Sequence, residues 1–407
     1  MNRKIPALLG ALAVGLLLVF PLVYARADYS YVMHLWITAF FYAILASSWA
    51  LLAGYAGQFS FGHMAFMAIG AYSAGLFNNY VYLTTAPTGR CAEIKLGAQY
   101  LVILDPIGIS NNPQTCLKVA QAAWPSDVVV SQPPLWLGIL LGIVLGGIVG
   151  FLIGALVLRL RAAYLALFTV GFSEILRAVI SAEIPVTRGQ AGLSLSPLFP
   201  NGVSLFGMTF TATDKVPPYY VMLFLLLASL AIMELLARSG IGLFLRSLRE
   251  DEEAATALGV HTVRYKLLVF TLTSMIAAAA GAVEAHYVGI ITPNILLLLQ
   301  MSLVIAMAVI GGLESIVAAA IGACVIEFSL EALRSNFSVA GVTVDMSVWR
   351  LIFFGLLLML TLRFMRNGLV QTALVRLQRA TALRETVEKR LAGAAGSGDA
   401  TRAEKAP

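Results

Sequence analysis

The chain runs to 407 residues, of which 59% are hydrophobic and 12% charged. So little charge excludes a soluble protein that wets its whole surface and points to a polytopic membrane protein. The net charge of +6 does not single out nucleic acid as a partner, because the basic residues sort by membrane side.

A helix needs roughly 20 apolar residues to cross about 30 Å of hydrocarbon. Runs of this kind are predicted, in chain order, at residues 5–24, 32–53, 64–82, 135–158, 164–182, 218–237, 267–289, 295–312, 316–333 and 348–363. None alternates as a barrel strand would, and backbone amides cannot stay unpaired in lipid, so all are read as helices. The expected fold class is an all-α polytopic membrane protein of about ten transmembrane helices. The first run, flanked by Arg3-Lys4 and Ala25-Arg26-Ala27, also has the outline of a signal peptide. Its apolar core is longer than a usual signal core, and it is kept as a helix.

With the N-terminus inside, the cytoplasmic segments hold eighteen Lys and Arg residues and the outer segments seven. Both termini are therefore expected in the cytoplasm. Residues 1–365 form the membrane domain, and 366–407 a cytoplasmic tail ending in the low-complexity GAAGSGDATRAEKAP. The long outer loop 83–134, rich in Pro, Asn and Gln, holds Cys91 and Cys116. On the oxidising outer side of a bacterial inner membrane a bridge between them would stabilise the loop by roughly 3 kcal/mol. Cys324 falls mid-span, where a packing role suffices.

The chain lacks the usual machinery of an enzyme. No lysine follows a glycine, so there is no GxxxxGK[ST] phosphate cradle. The four histidines show no HExxH spacing and no GxSxG elbow occurs, so neither metal nor cofactor is expected. A hydrolase would rest on an unmotivated pairing such as Ser60 with His63.

Between the sixth and seventh spans, residues 238–266 are the most charged stretch outside the tail. Ser247 followed three residues later by Glu250 reads as a capping box, acidic residues crowd the first turn, and Gly259 can close the helix in a left-handed cap. A helix of about eleven residues is predicted over 248–259, with Leu248, Ala254, Ala255 and Leu258 along one side and Arg249 and Glu250 to Glu253 mostly turned elsewhere. A solvated connector explains such a helix, and so does a surface offered to a partner's groove.

Here the residues reach a resemblance. Glu253-Ala254-Ala255, three residues, then Gly259 is similar to the E-A-A-x-x-x-G core of ABC-importer permeases. That likeness implies a coupling helix, with Arg249, Glu250, Glu253, Ala254, Ala255, Leu258 and Gly259 docking into a separate ATP-binding subunit. GYAGQFSFGHMAFMAIGAY at 54–72 resembles the signature of branched-chain amino acid permeases, specifically the longer of the two paralogous permeases. LRLRAAYLALFTVGFSEILR, TRGQAGL and AVIGGLES resemble later blocks of that permease in the same order. The chain departs from the pattern in the long 83–134 insertion, in Arg188 where glycine is usual, and in Glu314 where glycine is frequent. The resemblance implies an inner-membrane permease that works as a heterodimer with a paralogous permease, two ATP-binding subunits and a periplasmic substrate-binding protein. It implies inward transport of branched-chain or related amino acids, while relatives of this type also serve urea, short amides or aromatic acids.

The glycines at 54, 57, 62, 70 and 75 suit a tight turn and close helix approach. They also suit irregular backbone beside a wet path, where Gln58, Ser60 and His63 would supply hydrogen bonds. A second break, Gly311 to Ser315, precedes Ile321-Gly322-Ala323, echoing Ile69-Gly70-Ala71. Charges inside spans need a partner or a purpose. Glu174 is three residues from Arg177, which suits an ion pair as well as a path. Glu284, His286 and Glu327 are further path candidates. Those carboxylates also sustain a rival reading, a proton-coupled secondary carrier that needs no ATPase.

Overall fold

The computed structural model describes residues 4–23, 30–79, 81–83, 93–96, 99–102, 130–131, 133–158, 162–205, 208–334, 337–339, 342–344, 346–364, 368–372 and 375–376. In chain order the helices are α1 (Lys4–Val23), α2 (Ser30–Ala50), α3 (His63–Asn79), α4 (Leu135–Val157), α5 (Ala162–Ala182), α6 (Ile184–Thr187), α7 (Val216–Arg238), α8 (Gly240–Glu250), α9 (Glu252–Ala257), α10 (Thr262–Val288), α11 (Leu298–Gly311), α12 (Ile316–Ala332) and α13 (Met346–Phe364). Every predicted span has its helix, displaced by a few residues at most. Among the described residues, five segments are long and apolar enough to cross a membrane alone: 30–55, 135–157, 164–182, 216–238 and 262–288. Helices α11 and α12 qualify only as a pair, bent by 119° at the second glycine break. At 14 residues, α11 is only about 21 Å long, short of the hydrocarbon thickness.

The connections sort to two ends of the bundle. At one end Gly54 packs on Leu313 and Gly57 on Arg249. At the other, Leu193–Ser194 pairs antiparallel with Ile290–Ile291, and the Asn78 amide donates to the Leu135 carbonyl at 3.2 Å. The chain thus changes ends with each long helix, as repeated crossings require.

The packing follows from small residues. Helix α4 carries Gly138, Gly142, Gly146, Gly150 and Gly154 at four-residue spacing, all buried. A Cβ on Gly142 would stand 2.5 Å from the Gly70 carbonyl oxygen, and one on Gly146 2.3 Å from the Ala278 Cβ. In lipid, where the hydrophobic effect does not drive helices together, such close approach is what association rests on. Helix α10 lies against α3 and α4, and α2 against α12 and α7. Large apolar side chains such as Leu152, Leu156, Leu167, Phe224 and Leu235 point outward.

The all-α expectation needs short antiparallel strands added to it, of which the largest group among the described residues is a sheet of four. Within and beside the predicted 83–134 loop, Val81–Leu83, Glu93–Leu96, Gln99–Val102 and Val130–Ser131 form a four-stranded antiparallel sheet. Cys91 and Cys116 lie outside the described residues, as does most of the tail. Arg188 ends α6 in the left-handed conformation, φ +68°, a conformation that glycine adopts more readily than arginine.

Candidate functional site

The charged loop does not fold as one helix from Ser247. Helix α8 runs through to Glu250, and the Ser247 hydroxyl bonds back to the Phe244 carbonyl at 2.8 Å inside it. The break falls at Asp251, whose extended backbone and side chain cap α9, the carboxylate accepting from the Ala254 N–H at 3.0 Å. Asp251 is the better cap because its charge faces the free N–H groups of the new helix. At the far end Gly259 takes φ +86°. Its N–H donates to the Thr256 carbonyl at 2.9 Å and that of Val260 to the Ala255 carbonyl at 3.1 Å, the left-handed closure expected. The one-sided apolar stripe is not found. Leu248 and Ala255 are buried, Ala254 is exposed, and Leu258 stands 86% exposed. Glu250 and Glu253 are also exposed. Lys266 at the start of α10 pairs with Glu252 at 2.7 Å and anchors α9.

Arg249 faces inward from this loop. One guanidinium nitrogen donates to the Gly54 carbonyl and another lies 3.2 Å from the Glu314 carboxylate. The Tyr55 hydroxyl donates to the Glu314 carbonyl at 2.9 Å, and the Arg246 guanidinium sits 4.8 Å from the centre of the Tyr55 ring. The two glycine breaks therefore touch each other, and α8 holds both. Glu314 adds a partner for Arg249. Both groups are partly exposed, so Glu314→Gly is expected to cost less than about 1 kcal/mol and lower the melting temperature by about 2 °C or less. Thermal unfolding of the purified protein checks this, and a much larger drop would show that the pair is the main clamp.

Of the three polar residues in the first break, Ser60 serves the turn. Its hydroxyl accepts from the Gly62 N–H at 3.1 Å, its carbonyl accepts from the Trp49 indole at 2.7 Å, and the Phe61 N–H donates to Thr169 Oγ1 at 2.9 Å. Gln58 and His63 are 3% and 1% exposed, and neither side chain has a hydrogen-bond partner among the described residues. Gln58 lines a polar pocket of about 230 Å3 with Gly57, Arg249, Glu252 and Lys266. A buried amide without a partner is costly, so this pocket is suited to water or a polar guest.

The intramembrane acids separate. Glu174 pairs with Arg177 at 2.8 Å on α5. Glu284 and His286, two residues apart on α10, point to different surroundings because i and i+2 do not share a helix face. His286 is fully buried and tied, with Nδ1 2.9 Å from the Ser196 carbonyl and Nε2 3.1 Å from the Asn78 amide nitrogen. Those contacts require a neutral ring with the proton on Nδ1. Glu284 lines a pocket of about 180 Å3 with Phe41, Tyr42, Met64, Met67, Ile291 and Gln300, among others, and its Oε2 is sealed from solvent without a hydrogen-bond donor. Glu327 lines the adjoining pocket of about 340 Å3, which shares Tyr42 and Gln300. The Tyr42 hydroxyl donates to Gln300 Oε1 at 3.4 Å. Neither Tyr42 nor Gln300 stands out in the sequence, although a lone amide in the apolar run 295–304 is a signal of the right kind. Among the described residues no three His, Cys, Asp or Glu side chains gather as metal ligands.

Comparison with known proteins agrees with this architecture. The model of the family described as branched-chain amino acid transport system / permease component matches residues 31–362. The chain is 29% identical over 331 residues to the high-affinity branched-chain amino acid transport system permease protein LivM of Salmonella typhimurium, covering 76% of this chain and 66% of that one. The same figures hold for LivM of Escherichia coli. Against the corresponding protein LivH of Salmonella typhimurium it is 31% identical over 170 residues, 41% of this chain and 53% of the relative. The chain thus spans just under two thirds of the LivM relatives it matches. No solved structure matches.

Proposed function

This chain belongs to the family of branched-chain amino acid transport permease components, and from that premise we propose that it is a transmembrane subunit of a binding-protein-dependent ABC importer. It moves branched-chain or related amino acids inward by alternating access, beside a paralogous permease of the LivH kind and on top of two ATP-binding subunits, with a periplasmic binding protein delivering the solute. The end carrying residues 54–58, 239–261 and 312–315 faces the cytoplasm of a bacterial inner-membrane protein, and both termini lie on that side. Residues 83–134 extend into the periplasm.

The observation that carries the reading is the segment 251–259. It is capped at both ends and offers Leu258, 86% exposed, beside the acidic Glu250 and Glu253, in a chain whose sequence has no phosphate cradle of its own. An exposed leucine just past the end of a short, capped helix at one end of a bundle is a docking feature. Behind it, Arg249 reaches the carbonyl of Gly54 and the carboxylate of Glu314, so a push on α9 arrives at both broken spans. The ATP-binding subunits hydrolyse ATP, and this chain converts their closure into a change of access.

A gentle-detergent pull-down of the tagged chain, co-expressed with its neighbours and assayed for ATP hydrolysis with candidate loaded binding proteins, tests the assignment. Co-purifying ATP-binding subunits, stimulated by a binding protein loaded with leucine, isoleucine or valine, are expected. The second reading, a proton-coupled carrier, draws on the sealed carboxylate oxygen of Glu284. It predicts a chain that purifies alone and takes up solute only under a proton gradient.

A further inference from the structure

The pocket beside Glu284 has the composition of a recognition site. Its walls are apolar, from Phe41, Met64, Met67, Ile291 and Ile295, and its polar groups are one carboxylate, one phenol and one amide. At about 180 Å3 it far exceeds the roughly 10–15 Å3 that one water needs. The Tyr42 hydroxyl is engaged with Gln300 Oε1, which leaves the NH2 end of Gln300 to donate to a guest. Glu284 lines this pocket, and nothing among the described residues donates to its Oε2. A buried carboxyl oxygen without a donor is costly to leave unpaired, and a cation brought beside it favours its charged form.

Resting on the permease reading above, the geometry points to Glu284 as the anchor for the ammonium group of an aliphatic amino acid, whose side chain lies among Phe41, Met64, Met67, Ile291 and Ile295. An ammonium supplies three donors to a carboxylate in a charge-assisted bond. Urea and short amides carry no compensating charge and leave the apolar wall unused. A monocarboxylate without an amine is repelled by Glu284. The site therefore selects zwitterions with a hydrocarbon side chain over the other solutes carried by permeases of this type. The adjoining pocket places a second carboxylate, Glu327, beyond the shared Tyr42 and Gln300.

The test uses the complete assembly in proteoliposomes, with ATP enclosed and binding protein loaded with radiolabelled L-leucine outside. For the unmodified assembly ATP-dependent leucine uptake is expected. Glu284→Gln should lower the leucine imported per ATP hydrolysed by about tenfold or more, the loss typical of an anchor charge removed from a buried pair. Glu284→Asp keeps the charge and should retain most of the ratio. Gel filtration of each variant confirms assembly. A Glu284→Gln assembly importing at the unmodified ratio overturns the anchor and leaves the importer standing. A Glu284→Asp assembly as impaired as Glu284→Gln also overturns it, since packing rather than charge would then decide. An unmodified assembly indifferent to ATP that responds to a proton gradient removes the permease reading, and the anchor with it, by a separate signature.

Discussion

Replacing Gly259 by proline is expected to reduce substrate-stimulated ATP hydrolysis of the assembled transporter by about tenfold or more, with membrane insertion unchanged. Gly259 holds φ +86°, whereas a proline ring fixes φ near −65°. The substitution also removes the N–H that donates to the Thr256 carbonyl at 2.9 Å. The left-handed closure then opens, and Leu258 no longer stands where a partner would meet it. The damage stays local, because nothing lies within 4 Å of a Cβ built at Gly259. Gly259→Ala is the graded control, since it fits the space and costs only the left-handed strain of about 1–2 kcal/mol. ATP hydrolysis of purified assemblies, matched by gel filtration, reads the effect. Normal stimulation in Gly259→Pro would detach residues 251–259 from coupling.

The second large effect is expected at Gly54. A Cβ there would stand 1.8 Å from the Leu313 carbonyl oxygen. Both sides of that contact are backbone, so no rotamer change relieves it. Gly54→Ala must push the Leu51–Tyr55 turn away from the 312–315 turn, and it carries the Gly54 carbonyl away from Arg249. Destabilisation of about 3 kcal/mol, the upper part of the overpacking range, is expected. Gly171→Ala is the contrast, because that position is open within 4 Å, and alanine in a helix gains roughly 0.5–1 kcal/mol over glycine. Thermal unfolding of the two variants in the same detergent decides. Equal melting temperatures would mean that the two breaks are not packed as described.

Much of this architecture is legible in the residues. The span boundaries come from apolar runs whose length hydrocarbon imposes, which is why α4, α7 and α10 fall within a few residues of 135–158, 218–237 and 267–289. Gly259 as a left-handed cap is readable because few other residues tolerate that φ. The start of α9 is not, since Ser247 and Asp251 both satisfy a capping rule and only the continuation of α8 through Glu250 decides between them. Leu258 leaves the predicted stripe because the helix ends at Ala257 and the 100° period ends with it.

The separation of Glu284 from His286 follows from helical spacing alone. The partners of His286, by contrast, come from residues 78 and 196, distances in sequence that no local pattern reports. The same holds for Glu314, whose guanidinium partner is 65 residues away, and for Tyr42 and Gln300 at the carboxylate pocket. The small sheet around 83–134 escapes notice because its strands have four residues or fewer, too short for alternation to register.

The most direct test of ATP-driven coupling through residues 251–259 is a thiol-directed cross-link from Leu258→Cys in native membranes, with the assembly complete. A conjugate of this chain with the ATP-binding subunit is expected, its yield changing when the nucleotide is trapped after hydrolysis as the ADP–vanadate complex. If that cysteine cross-links to no ATP-binding subunit while the subunits remain bound, the power stroke does not enter through this helix and the central claim fails.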